Sequence, residues 1–381
     1  MNLPKSFRLT RLHADAQSHS QVAVPRQFPT TGFEAIPASE KVKEECWDWY
    51  TPQSFYPVRI GDVIHSRYQV LYKAGYGTTS TLRICRDLHA SDYVCMKSMV
   101  CNYPSVQREV KAYKAISKAA ETTTMRGKNF VRKALDHFEV KIEDRNYPFL
   151  IHKPLGLTVE MVVAFSVLDE TEEDEIEHPS RRKVTKQTAV FESRGFMPPL
   201  RRWMASNDPF VLCNFGKART GKDSYTGLIQ PALFRAPEVF LCIPWGTLVD
   251  VWNLGCMVWN LMFNNHLFSQ GSSSGKDGDG QTACRNQLAR MVAFLGPPPR
   301  ELLNQSGSVA LEFFYEDGTP KGEVPNETLE SFLESSMKKT GRTMIPKDLE
   351  MFLAFLRKTL TWTQEMRASA IQLLSDPWIL K

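Results

Sequence analysis

Residues 211 to 238 constrain this chain more than any other stretch. An apolar pair, Val211-Leu212, leads into Cys213-Asn214-Phe215-Gly216. A basic loop follows at Lys217-Ala218-Arg219, and the stretch closes on Arg235-Ala236-Pro237-Glu238. Asn214 keeps the size and one oxygen acceptor of an aspartate but not its charge. Charge is most of what a hard dication takes from such a ligand.

At 381 residues the chain is long enough for one two-lobed domain with a full core. A net charge of +5 is slight at this length and gives no argument for nucleic acid. The eight cysteines form no C-x-x-C pair and no His/Cys metal spacing, so they read as reduced intracellular thiols. Lys5, Arg8 and Arg11, with only Asp15 acidic before Glu34, give a faint likeness to a mitochondrial transit peptide. An unstructured tail in a protein of the cytoplasm or nucleus is the preferred reading. The longest apolar run, Val249 to Phe263, is broken by Asp250, Asn253 and Asn260. It reads as a buried core helix, and no membrane contact is expected.

In chain order, residues 1–54 lack periodicity and are expected as a disordered tail. Arg67 to Tyr72 alternates like a strand, and Gly75-Tyr76-Gly77-Thr78-Thr79-Ser80-Thr81-Leu82 follows directly. Two glycines between strands make a hairpin whose backbone can approach phosphates, although most glycine hairpins bind nothing. Tyr93 to Met99 is an apolar strand with Lys97 embedded in it. Such a lysine usually snorkels to the surface. Here a helix from Ser105 to Ala120 supplies a partner: Val106, Val110, Tyr113 and Ile116 share one side and Glu109 the adjoining one. Phe130–Phe138 and Tyr147–His152 read as two more strands. Lys153-Pro154-Leu155-Gly156 is expected to join two lobes, residues 55–156 making the β-rich one.

Residues 157–210 carry an acid-rich run, Asp169 to Glu177, then Arg181-Arg182-Lys183. The run reads as a solvated or disordered spacer, not a metal site. Residues 211–381 then read as helical. Ser269 to Gln281 is a flexible loop by composition. Leu288, Met291, Val292 and Leu295 keep helical spacing up to Gly296-Pro297-Pro298-Pro299. Leu349, Phe352, Leu353, Leu356 and Leu360 form another amphipathic face, and Arg367 is expected to begin the last helix.

With these residues in place, the chain resembles the SR-protein kinase family of serine/threonine kinases, in its divergent fungal branch, over residues 55–381. The specific marks are Tyr56-Pro57-Val58-Arg59-Ile60-Gly61-Asp62, Pro154-Leu155-Gly156, Thr226-Gly227-Leu228-Ile229-Gln230-Pro231 and Leu295-Gly296-Pro297-Pro298-Pro299. Phe313-Phe314-Tyr315-Glu316-Asp317-Gly318 looks like the family's insert for docking basic substrates. The resemblance implies an α+β, two-lobed protein-kinase fold with a helical C-lobe. It also implies ATP as cofactor and a protein partner rich in Arg and Ser. Gly75, Tyr76, Gly77, Ser80 and Leu82 would cover the phosphates. Lys97 would hold them through Glu109, and Lys153 and Leu155 would meet the adenine edge. Glu238 and Arg367 would form a buried pair, and Asp250 would sit in the central helix.

Two departures stand against catalysis. Asn214 occupies the magnesium-binding aspartate's place, so Mg²⁺ is doubtful. No His-x-Asp lies between His152 and Asn214; the chain's one copy, His13-Ala14-Asp15, precedes the glycine hairpin. Val162-Val163-Ala164-Phe165 looks like the strand that follows the family's catalytic loop, so that loop and two helices are missing and the C-lobe is expected to be truncated. Three readings stay open: an active kinase whose gene model lost an exon, a pseudokinase acting as a binding or scaffolding module, and a decayed product without a stable fold.

Overall fold

A computed structural model of the protein describes residues 22–154, 174–184, 189–193, 211–221, 223–269 and 280–381. The chain divides into two compact units, Met1–Thr220 and Gly221–Lys381.

The first unit is built on a six-stranded antiparallel sheet. Its strands are β1 (Val63–Ile64), β2 (Tyr68–Gly77), β3 (Ser80–Asp87), β4 (Asp92–Met99), β5 (Asp136–Ile142) and β6 (Arg145–His152), in the order β1-β2-β3-β4-β6-β5. β-Branched and aromatic residues fill the strands, and Tyr68, Val70, Cys85, Val94, Met96, Tyr147, Phe149 and Ile151 close one core. The glycine stretch is the β2–β3 hairpin, with Gly77 opposite Ser80 across Thr78-Thr79. Helix α1 (Pro104–Thr122) starts on a proline, whose missing N–H is not needed in the first turn. It buries Val106, Glu109, Ala112 and Tyr113.

Three expectations change here. Residues 22–54 are not a free tail. Ile36, Val42 and Glu44 are buried, Arg26 bonds Gln69 through its backbone, and Glu44 pairs with the buried Lys73 of β2. Local aperiodicity hid a segment held by side-chain partners distant in sequence. Phe130–Phe138 is not one strand: a 3₁₀ turn covers Arg126–Phe130 and β5 begins only at Asp136. The acidic run is also not uniformly solvated. Glu175 is buried, accepts from Ser180, and pairs with Arg182 at 3.4 Å. Arg182 starts β7 (Arg182–Val184), which pairs antiparallel with β8 (Ala189–Phe191), and its guanidinium lies 4.3 Å from the Phe33 ring centre.

The second unit is helical: α2 (Pro237–Phe240), α3 (Leu248–Phe263), α4 (Gly280–Leu295), α5 (Arg300–Ser306), α6 (Ala310–Phe313), α7 (Leu329–Thr340), α8 (Pro346–Thr359) and α9 (Ala370–Leu373). α3 is its axis. Trp252 and Trp259 are fully buried, and Trp259 stacks on Phe332 of α7 at 5.1 Å. The last helix starts at Ala370, so Arg367 lies in the turn before it. Most of the Ser269–Gln281 stretch lies outside the described residues; its end, from Gly280, is the first turn of α4. Among the described residues no helix is long and apolar enough to cross a membrane.

Gly255 is where α3 approaches the end of α8. A Cβ there would sit 2.5 Å from Thr359 Oγ1 and 2.9 Å from Leu360 Cδ2. Thr359 is fully buried and bonded to Phe355 O and Leu356 O, so it has nowhere to turn. Gly255→Val is therefore expected to cost about 1–3 kcal/mol by overpacking, offsetting any gain in helix propensity. Thermal unfolding of the variant checks this: an unchanged midpoint contradicts the tight approach.

Candidate functional site

Lys97 lies on β4 opposite Leu150 of β6, on the sheet face that receives α1. Its side chain is 14% exposed, and a lysine that buried needs an anion. Glu109, buried on α1, supplies it: Lys97 Nζ donates to Oε1 at 2.6 Å. The lysine does not snorkel, because the helical period sets a carboxylate over it.

The Asn-Phe-Gly turn lies against the same helix. Leu212 N donates to Phe130 O at 2.7 Å and Arg132 N to Leu212 O at 2.9 Å, which anchors the run into the turn. Phe215 meets Tyr113 edge-on at 5.2 Å. Gly216 passes so close to Glu109 that a Cβ would be 3.3 Å from Oε2. Asn214 adopts the left-handed conformation, φ 64°, which asparagine tolerates better than most residues. It is exposed, and among the described residues no group of three or more His, Cys, Asp or Glu is placed to hold a metal. Among the described residues, Asn214 offers a Mg²⁺ ion a neutral amide oxygen in place of a carboxylate.

The remaining positions are less decisive. A Cβ on Gly75 would meet nothing within 4 Å, and one on Gly77 would meet only Ser80, Oγ at 3.7 Å and O at 3.9 Å, so the hairpin is open to approach. Tyr76 is exposed at the hairpin, Ser80 is buried, and Leu82 packs on the Leu71–Tyr72–Ile84 cluster. Lys153 is exposed, and its carbonyl accepts from Arg132 Nη2 at 3.0 Å. Leu155 and the rest of 155–173 lie outside the described residues, as do 194–210. With them go the expectations placed there.

Strand reading missed two residues beside this site. His152 is fully buried at the end of β6, its ring 4.8 Å from Tyr113. Arg132 is next to it, and the basic cluster Lys128, Arg132, Lys133 was the available sign that this run is no ordinary strand. Burial first, then the Arg132 charge, push the His152 pKa down to about 4, against the raising effect of its bond to Lys133 O. A base with a lowered folded pKa is neutral in both states above its ordinary value near 6.5. Between 6.5 and 4 the unfolded chain takes the proton first, so stability falls with pH. The loss should reach about 3 kcal/mol below pH 4. Urea melts from pH 7 to 4.5 on wild type and His152→Leu check it; equal slopes would remove His152 from the account.

In the second unit, Glu238 and Arg367 stand 2.8 Å apart, at 1% and 0% exposure. Arg367 Nη1 donates to Glu238 Oε1 and Nη2 to Oε2, while Leu248 O and Thr361 O accept further bonds. The guanidinium also lies 5.3 Å from the Trp252 ring centre. Asp250 is exposed in the first turn of α3.

Residues 204–379 match the family model described as the protein kinase domain. The chain is 32% identical to a serine/threonine protein kinase of Aspergillus fumigatus, over 98% of this chain and 100% of the relative. It is 30% identical to a probable serine/threonine-protein kinase, sky1, of Dictyostelium discoideum, over 44% of this chain and 24% of the relative. Among solved structures, a kinase-domain crystal structure aligns with a TM-score of 0.55 at 17% identity, covering 86% of this chain and 99% of the other.

Proposed function

The chain belongs to the serine/threonine protein kinase family, and from that premise we propose that it is an SR-type member that binds a nucleotide weakly and no longer transfers phosphate. It serves instead as a binding or scaffolding module. The observation that carries this reading is the pairing of an intact Lys97–Glu109 grip with an amide at 214. The phosphate side of the site is kept, and the metal side has lost its charge.

Two observations support a missing internal segment. The 414 aligned positions cover 98% of this 381-residue chain, about 373 residues, leaving about 41 positions that only the Aspergillus relative fills. In the second unit, α3 is apolar almost all round, as a buried helix is, yet Met257 and Leu261 are 45% and 46% exposed. The same deficit favours one second reading, an active kinase whose gene model dropped an exon; sequencing the transcript across the codons for Gly156 to Val163 separates the two.

The partner we infer is a basic, Arg/Ser-rich protein segment. Support comes from the 313–318 turn, where Tyr315 N donates to Thr319 O at 2.7 Å and Tyr315, Glu316 and Asp317 are exposed together. An acidic, aromatic tip suits a guanidinium-bearing peptide.

The test of the nucleotide reading is a thermal-shift titration with ATP, with and without Mg²⁺, on wild type and Lys97→Ala. Saturation at a hundredfold over Kd adds about 2.7 kcal/mol of stability. A shift that is independent of Mg²⁺ and lost in Lys97→Ala is expected. A shift that survives the substitution would contradict the proposal.

A further inference from the structure

We propose that Arg132 sets the base preference of the nucleotide site and selects a purine bearing a 6-oxo group, guanine or hypoxanthine, over adenine. The inference rests on the nucleotide reading above, with Lys97 at the phosphates. Lys97 and Cys95 share one face of β4, and Cys95 pairs with His152 of β6. From Lys97, that face runs about 6–7 Å along one strand and about 4.8 Å across to the next before it reaches His152. In the nucleotide reading, which puts the phosphates at Lys97 and the base edge at Lys153, the base lies toward the end of β6, where Arg132 also stands.

The chemistry at that end is unusual for an adenine site. The 6-amino group of adenine needs an acceptor, and Arg132 Nη2 at 3.0 Å already uses one of the two lone pairs of the Lys153 carbonyl and brings its positive charge beside the other. Among the described residues the Arg132 guanidinium has no carboxylate partner, and its buried Nε has no acceptor. The neighbouring His152 is buried, and the cation beside it helps keep it neutral. The Cys95 thiol and the Tyr113 hydroxyl also feel the Arg132 charge. A cation rich in unused N–H groups repels an amino edge and favours the O6 and N7 acceptors of a 6-oxopurine. Arginine facing guanine O6 and N7 is the most frequent specific side-chain contact to that base.

The experiment compares ATP, GTP and ITP by thermal shift and direct titration on the full chain, wild type, Arg132→Ala and Lys97→Ala. ITP isolates the 6-oxo group, because it differs from GTP by the 2-amino group alone. The expected result is GTP and ITP binding roughly tenfold tighter than ATP, with the preference reduced below about twofold in Arg132→Ala. Equal or ATP-favoured binding by the wild type overturns the inference, and needs no variant to fold. A preference unchanged in Arg132→Ala also overturns it. Loss of every nucleotide shift in the wild type sinks the nucleotide reading itself, a distinct result.

Discussion

Glu238→Ala is expected to destabilise the helical unit by about 3–5 kcal/mol, the range seen when one partner of a buried ion pair is removed. An exposed pair would cost about 0–1 kcal/mol, so the two cases are easily told apart. The geometry places this pair in the first class. Arg367 is fully buried, grips both carboxylate oxygens, and also holds two carbonyls, Leu248 O at the start of α3 and Thr361 O just past the end of α8. Removing the carboxylate leaves a guanidinium buried against Trp252 without a counter-charge. Replacing both residues with apolar side chains of similar volume should recover much of the loss, because the stranded cation is then gone. Denaturant melts of the single and double variants measure this. A Glu238→Ala melt that overlays the wild type would contradict it.

What the sequence reveals follows from how local its signals are. Lys97 and Glu109 are legible because a strand period and a helical period each place one charge among apolar residues. Glu238 and Arg367 are legible only through family resemblance, since nothing local ties two residues so distant in sequence. α3 and α8 are legible from their apolar faces. The segment 22–54 is not, because what holds it is a set of distant partners: Glu44 with Lys73, Arg26 with Gln69, Lys183 with Glu45. In the sequence each partner alone reads as an ordinary surface residue. Arg132 escapes for a related reason. Its neighbours Phe130, Val131 and Ala134 resemble a strand, while the backbone bonds of 130–132 go to Leu212 instead of a sheet neighbour. Glu175 is hidden by the acids around it, and only its bonds to Ser180 and Arg182 set it apart.

The largest expected effect concerns chemistry. Phosphoryl transfer is mostly positioning and charge neutralisation, so each missing part raises the barrier separately. In the proposed reading Asn214 takes a full negative charge from the metal position, and among the described residues no group of three or more His, Cys, Asp or Glu is placed to make up for it. The sequence offers no His-x-Asp between His152 and Asn214 to place a substrate hydroxyl and take its proton. Losing one acid–base group costs about 10²–10⁴ in rate, and losing electrostatic stabilisation about 10²–10³. Restoring the charge with Asn214→Asp repairs one deficit and leaves the hydroxyl unplaced. Asn214→Asp alone is therefore expected to remain inactive.

The direct measurement is radiolabelled phosphate transfer from ATP, and in parallel from GTP, to an Arg-Ser peptide. It compares wild type, Asn214→Asp, and a chimera that carries a relative's catalytic loop after Gly156 together with Asp at 214. The account predicts no transfer by the first two proteins and Lys97-dependent transfer by the chimera. Lys97-dependent transfer by the wild type or by Asn214→Asp would contradict it.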